Sequence, residues 1–223
     1  MAYNFDKLYI NGHWCDSTSG QFIEVENPAT LKHFAKVPEG NEKDIDLAVR
    51  AAHAAFESWS QTELSERIGL MKKMLEIFES YKDQIIDLEV KELGAPVSYC
   101  VQSHCVYQFT RTHSYIECAA ELPLEQSLAQ STVYREPIGV IACITPWNYP
   151  LGQVVQKVVP AILMGNTVVL KPSQHTPLTA YLLIDAFDRA GFPAGVINLV
   201  TGRGSAVGDA LASHPLVDML SFT

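Results

Sequence analysis

The amino-acid sequence predicts an α/β protein: a doubly wound, mostly parallel sheet preceded by a helical region. Three observations predict it. From residue 138 onward, apolar strand-like runs alternate with amphipathic stretches over short connections, the pattern of right-handed crossover units in a parallel sheet. The run Ile138-Gly139-Val140-Ile141-Ala142-Cys143-Ile144-Thr145 is almost wholly apolar, as a strand covered on both faces has to be. Between residues 41 and 120, apolar residues recur every three or four positions, the period of helices that bury one face.

The elements follow in order. Lys7-Leu8-Tyr9-Ile10 runs into Asn11-Gly12, a hairpin signal, and Gln21-Phe22-Ile23-Glu24-Val25 alternates after Ser19-Gly20. Asn27-Pro28 breaks the extended pattern and Pro38-Glu39-Gly40 closes the segment. Asn41, with Asp44 three residues on, reads as a near capping box for a helix carrying Ile45, Ala48, Val49, Ala52, Ala55, Phe56 and Trp59. A second helix starts at Ser65, with Ile68, Met71, Leu75 and Phe78 on one face. A third carries Ile85, Leu88, Glu89 and Glu92 and stops at Gly94-Ala95-Pro96. A fourth runs from Ser98 to Ala120. These four helices are compatible with a bundle. Thr132 to Pro137 reads as an extended arm or hairpin strand. After the apolar strand come a helix over 150–164, a strand over 167–170, a helix over 177–190, a strand over 196–200, a helix over 205–213 and a strand over 217–222.

Composition narrows the function. A net charge of -9, from 16 basic and 25 acidic residues, argues against nucleic acid or an anionic membrane surface as the partner. No apolar run has the length of a membrane span, and the stretch from Met1 to Lys7 has no signal-peptide pattern, so the chain reads as cytoplasmic. Cys15, Cys100, Cys105, Cys118 and Cys143 are scattered without metal-ligand or disulfide spacing, and no metal site is expected.

Chemistry concentrates at three strand-to-helix corners, where doubly wound sheets bind their ligands. In Thr145-Pro146-Trp147-Asn148-Tyr149-Pro150, two prolines stiffen the backbone around Asn148. Its amide is suited to donate to a developing oxyanion, or alternatively to cap the following helix. In Leu170-Lys171-Pro172-Ser173-Gln174-His175-Thr176-Pro177, Lys171 is placed either to meet ribose hydroxyls or a phosphate, or to remain a solvated lysine at a sheet edge; His175 reads as a surface group. In Thr201-Gly202-Arg203-Gly204-Ser205-Ala206-Val207-Gly208, the glycines stand one residue wider than the usual dinucleotide fingerprint. They suit either close approach of a ligand to a helix N-terminus or a plain turn.

Taken in succession, these motifs resemble the aldehyde dehydrogenase superfamily. TPWNYP is followed by Lys157, then by Gly165-Asn166-Thr167-Val168-Val169-Leu170-Lys171-Pro172-Ser173, Gly191-Phe192-Pro193, Gly202-x-Gly204 and Ser221-Phe222-Thr223. Tyr9-Ile10-Asn11-Gly12-x-Trp14, Asn27-Pro28-Ala29-Thr30 and Glu136-Pro137-Ile138-Gly139-Val140 extend the resemblance over essentially the whole chain. It implies a Rossmann-like NAD-binding domain, with residues 1–123 as its N-terminal hairpin and helical part and 138–223 as its β-α-β part. Residues 124–137 would begin an oligomerisation arm, and the complete enzyme would be a homo-oligomer.

By resemblance, Asn148 is the oxyanion-hole asparagine and Lys157 part of a proton relay. Thr145, Pro146 and Trp147 pass the nicotinamide ribose. Lys171, Ser173 and Gln174 meet the adenine ribose, and Gly204 lines the adenine pocket. The helix around 98–120 implies part of an aldehyde pocket, with Cys105, Tyr107, Phe109 and Thr112 as its lining.

Gln174 stands where many NAD-preferring members carry glutamate. A neutral amide repels a 2′-phosphate less, so NAD is expected with NADP possible. The nucleophilic cysteine and the general-base glutamate match nothing up to Thr223; Cys143 lies in an apolar strand, where a thiolate is costly. The chain is therefore expected to be the N-terminal part of an enzyme oxidising a small-molecule aldehyde through a cysteine thiohemiacetal, and to be inactive alone. The alternative is a truncated, non-catalytic interaction or regulatory module of the same ancestry.

Overall fold

The computed structural model describes residues 5–223; Met1 to Asn4, part of the stretch read above for a targeting signal, lie outside the described residues. Ten strands and eight α-helices follow in chain order among the described residues. The N-terminal strands are β1 (Leu8–Ile10), β2 (His13–Cys15), β3 (Phe22–Asn27) and β4 (Lys32–Pro38). The helical region comprises α1 (Glu42–Ser60), α2 (Leu64–Glu79), α3 (Lys82–Leu93), α4 (Val97–Tyr99) and α5 (Tyr107–Glu121). A hairpin, β5 (Glu125–Leu128) and β6 (Ser131–Tyr134), leads to β7 (Val140–Ile144), α6 (Pro150–Leu163), β8 (Thr167–Lys171) and α7 (Leu178–Ala190). The chain continues through β9 (Ile197–Leu199), α8 (Asp209–Ala212) and β10 (Met219–Phe222).

The main sheet has the order β10-β7-β8-β9-β1-β2. Strands β10, β7, β8 and β9 are parallel, with Cys143 opposite both Ser221 and Leu170. The strand order reverses direction of growth at β7, which defines the doubly wound topology. The Asn11-Gly12 hairpin forms as expected, with φ of 51° and 76°, the left-handed pair that a two-residue turn requires. Its strands β1 and β2 continue the main sheet as an antiparallel edge beside β9.

Alternation along the strands divides the core. Val140, Ala142 and Val169 pack with Ile45, Ala48, Val49 and Ala52 of α1 on one face. Ile141, Cys143, Val168 and Leu170 pack with α6 and α7 on the other, and α2, α3 and α5 form a further layer over them. The four early helices are therefore no bundle: the sheet separates α1 from the rest. Two side chains still join the layers at the end of α6, where carbonyls lack helical partners. Trp59 Nε1 donates to Ile162 O (3.3 Å) and Arg67 Nε to Leu163 O (2.9 Å).

Three local differences from the sequence reading have physical reasons. Lys32–Pro38 is a strand despite its mixed polarity, because it pairs with β3 in a separate two-stranded sheet whose outer face meets solvent. The expected single helix over 98–120 contains a π-helical stretch, Cys100–Val106, between α4 and α5. Likewise the helix expected over 205–213 opens with a π-helical turn, Gly204–Gly208. The arm expected between 124 and 137 is an exposed β5–β6 hairpin.

Candidate functional site

Corners one and two meet at the carboxyl ends of β7 and β8. The Thr145 amide donates to Lys171 O (3.2 Å), and Thr176 Oγ1 donates to Trp147 O (3.2 Å), so the backbone carrying Trp147 is tied to the Lys-Pro-Ser corner. The third corner adjoins the second through Gly208, where a Cβ would lie 3.9 Å from Cδ and Cε of Lys171. The three segments singled out in the sequence are thus brought to one end of the parallel strands, where such sheets bind ligands.

Lys171 is buried at 4% exposure, its stem running past Gly208 and its ammonium donating to Pro172 O (3.1 Å). Burial alone lowers its pKa to about 8, because water no longer solvates the charged form. The solvated-lysine alternative does not describe this residue. Ser173 Oγ accepts from the His175 amide (3.3 Å); Ser173 and Gln174 are half-buried, and His175 is exposed, as expected. Gly204 opens the π-helical turn, and a Cβ there would meet nothing within 4 Å. Open space therefore stands beside this glycine.

Asn148 is exposed on the loop between β7 and α6, next to the exposed Trp147. The helix is capped at Tyr149, with no side-chain cap hydrogen bond, so Asn148 is not spent on capping. Pro146 is half-buried and Thr145 buried, its Oγ1 without a hydrogen-bond partner among the described residues. Lys157 lies farther along α6. Its Nζ donates to Thr223 Oγ1 (2.7 Å), which donates in turn to Gln153 Oε1 (3.4 Å), so this lysine belongs to the β10 side of the sheet.

The expected aldehyde-pocket lining is not gathered on one surface. Cys105 Sγ faces Lys82 O (3.8 Å), Phe109 packs edge-on against Phe78, and Thr112 Oγ1 donates to Gln108 O (2.8 Å), all three buried between helices. Only Tyr107 of the four is exposed, in a groove with Tyr99, Gln102, Ser103 and Tyr149. Helical period could not show this, because the π-helical stretch shifts the faces of the helix. Cys143 is fully buried, and desolvation pushes its thiol up to about 12; burial likewise raises Cys105 to about 12 and Cys100 to about 11.

Sequence reading missed the support under these corners. Glu89 and Glu92 on α3 are buried, although the apolar face on which they stand signalled it. Glu92 accepts from the amides of Leu178 (2.8 Å) and Thr179 (3.3 Å) at the start of α7. Glu89 accepts from the Leu151 amide (3.4 Å) at the start of α6. Each carboxylate thereby meets unpaired N–H groups of a helix that leaves one of the corners.

The three corners thus stand at a switch in strand order, with the exposed Asn148 beside them. The aldehyde dehydrogenase family model matches residues 14–223, and the chain belongs to that family. It is 43% identical over 224 residues to a 3-succinoylsemialdehyde-pyridine dehydrogenase from a Pseudomonas species, covering 99% of this chain and 46% of that protein. Among solved structures it resembles a cysteine-to-alanine variant of aldehyde dehydrogenase C from Pseudomonas syringae in complex with NAD+ and octanal. There the TM-score is 0.96 at 39% identity, over 100% of this chain and 46% of that one. An NAD+ complex of a Bacillus cereus aldehyde dehydrogenase matches with a TM-score of 0.93 at 33% identity, over 97% of this chain and 45% of that one. The chain spans about half the length of the curated relatives it matches.

Proposed function

We propose that this chain is the cofactor-binding half of an NAD-dependent aldehyde dehydrogenase that converts an aldehyde to a carboxylic acid. The observation that carries this reading is the meeting of the three corners at the carboxyl ends of the parallel strands, with Asn148 exposed beside them. The residues present fit a dinucleotide. Open space lies at Gly204, the buried Lys171 ammonium has donor capacity beyond Pro172 O, and Thr145 Oγ1 awaits a partner. Lys171, Ser173 and Gln174 would hold the adenine ribose, Gly204 the adenine, and Thr145 to Trp147 the nicotinamide ribose; when bound, the nucleotide supplies the hydride acceptor. Gln174 leaves NADP as a possible second cofactor, since it puts no negative charge against a 2′-phosphate.

In this reading Asn148 donates its amide N–H to the aldehyde oxygen as negative charge develops there, and its value lies in standing ready before the charge forms. Lys157, hydrogen-bonded to Thr223, would hold a proton along a relay at the β10 side. The nucleophilic cysteine and the general base are assigned to residues outside these 223. The raised thiols of Cys100, Cys105 and Cys143 support that assignment, because a thiolate is what attacks a carbonyl.

The test is Asn148→Ala in a polypeptide joining this chain to the remaining half of the family's length. Turnover is expected to fall by roughly a hundredfold or more, with cofactor affinity within about twofold. Equal loss of both, or neither, would remove Asn148 from the oxyanion role.

A further inference from the structure

The Asn148 side chain is exposed, so its amide stands where the backbone of the β7–α6 loop puts it. Pro146 and Pro150 have a fixed φ and stiffen the two ends of that loop. The peptide planes between them are still free to turn. The plane joining Trp147 to Asn148 carries the Trp147 carbonyl on one edge and the Asn148 N–H on the other, so a tether on the oxygen fixes both. Thr176 supplies that tether: its Oγ1 donates to Trp147 O (3.2 Å), 29 residues away in sequence.

The tether comes from a fixed point. Thr176 is buried, directly ahead of Pro177 and α7. Glu92 accepts from the next two free amides, those of Leu178 (2.8 Å) and Thr179 (3.3 Å), which holds the start of that helix to α3. On the other side, the His175 amide donates to Ser173 Oγ (3.3 Å). The backbone bond from the Thr145 amide to Lys171 O (3.2 Å) ties the two corners ahead of Pro146. Past Pro146, and among the described residues, the Thr176 hydroxyl makes the one side-chain hydrogen bond that joins residues 171–176 to the loop carrying Asn148.

We propose that Thr176 is a positioning residue for Asn148: its hydroxyl sets the Trp147–Asn148 peptide plane, and with it the place where the Asn148 amide meets the developing oxyanion. This rests on the reading of Asn148 as the oxyanion donor. Thr176 acts through one carbonyl and touches no reacting atom. A donor to charge that forms only in the transition state has to be in place beforehand. A small displacement of it therefore acts on the chemical step rather than on cofactor binding.

The experiment uses the joined polypeptide described above, with two substitutions. Thr176→Val keeps the branched shape but loses the donor, and Thr176→Ser keeps the hydroxyl but loses the methyl. Steady-state kinetics are measured for each, together with amide hydrogen exchange at residues 147–149. Turnover should fall roughly tenfold in Thr176→Val and stay within about twofold of the parent in Thr176→Ser, with KM for NAD+ within about twofold in both. Exchange should quicken in Thr176→Val alone.

Turnover within about twofold of the parent in Thr176→Val, or exchange unchanged there, would overturn the proposal. So would an equal loss of turnover in both variants, which would trace the effect to the packing of the methyl group. A KM for NAD+ that rises in step with the loss of turnover would overturn it as well, since the hydroxyl would then serve the cofactor corner. A parent that forms no NADH from any aldehyde would instead contradict the proposed function, while the exchange measurement would still decide whether the Thr176 hydroxyl fixes the loop.

Discussion

At the scale of single residues, burial decides the chemistry of Lys171. An ammonium at a sheet edge ordinarily stays in water, yet here the stem is packed against Gly208 and the side chain is buried, which lowers its pKa to about 8. The folded value lies below the usual 10.5, so the folded chain releases this proton first as pH rises. Two consequences separate. Without ligand, stability contributed by this group increases as pH climbs from about 8 to 10.5, because only the unfolded chain still carries the proton. If the ammonium holds the ribose, affinity for NAD+ declines over the pH range just above 8. Calorimetric titration at several pH values checks this; Lys171→Met should bind roughly tenfold more weakly at neutral pH and show no such decline. An unchanged profile in Lys171→Met would detach Lys171 from the cofactor.

At the scale of elements, α3 acts as a strut whose two carboxylates meet the starts of α6 and α7. Glu92 shows the cost. Two amide hydrogen bonds from Leu178 and Thr179 favour its charged form, but complete burial and the neighbouring Glu89 outweigh them, and its pKa stands well above 4.5. A raised folded pKa means that the folded chain keeps the proton longer than the unfolded one. The stability this gives is fully present below 4.5 and is lost as pH rises through the folded value. Glu92→Gln, neutral at every pH, should cost about 1 kcal/mol in acid through a poorer hydrogen bond and flatten the pH dependence above it. Urea unfolding across pH reads this directly, and curves that run parallel to the parent would contradict it.

Much of this element scale was legible in sequence, and the exceptions are instructive. Asn41 and Asp44 do form a capping box, because that motif is satisfied within four consecutive residues. The parallel strands from Val140 onward were readable, since burial on both faces leaves an unbroken apolar run. Strand β4 fell within a stretch read only as extended, without its own bounds, because its exposed positions carry polar side chains such as Lys32, His33 and Lys36. The π-helical stretch and the contact of His104 with Glu89 were also hidden. They join residues from separate helices through packing, and local period carries no record of that.

At the scale of the whole molecule, a six-stranded sheet carries α1 on one face and the remaining large helices on the other, with the three corners at one end of its parallel strands. The sequence reading located the corners, but not the antiparallel edge formed by β1 and β2 nor the layering of α2, α3 and α5 over α6 and α7. Among the described residues, no helix is long and apolar enough to cross a membrane. Exposed apolar side chains gather on β10, where Met219, Leu220 and Phe222 line an edge strand paired on one side with β7. The β5–β6 hairpin exposes Leu128, Val133 and Tyr134.

The most direct measurement places this 223-residue chain beside the joined polypeptide and follows NADH formation with NAD+ and a panel of aldehydes, while calorimetry measures NAD+ binding to each. Both polypeptides should bind NAD+, and only the joined polypeptide should form NADH. Aldehyde-dependent NADH from the 223-residue chain alone, or binding of NAD+ by neither, would contradict it.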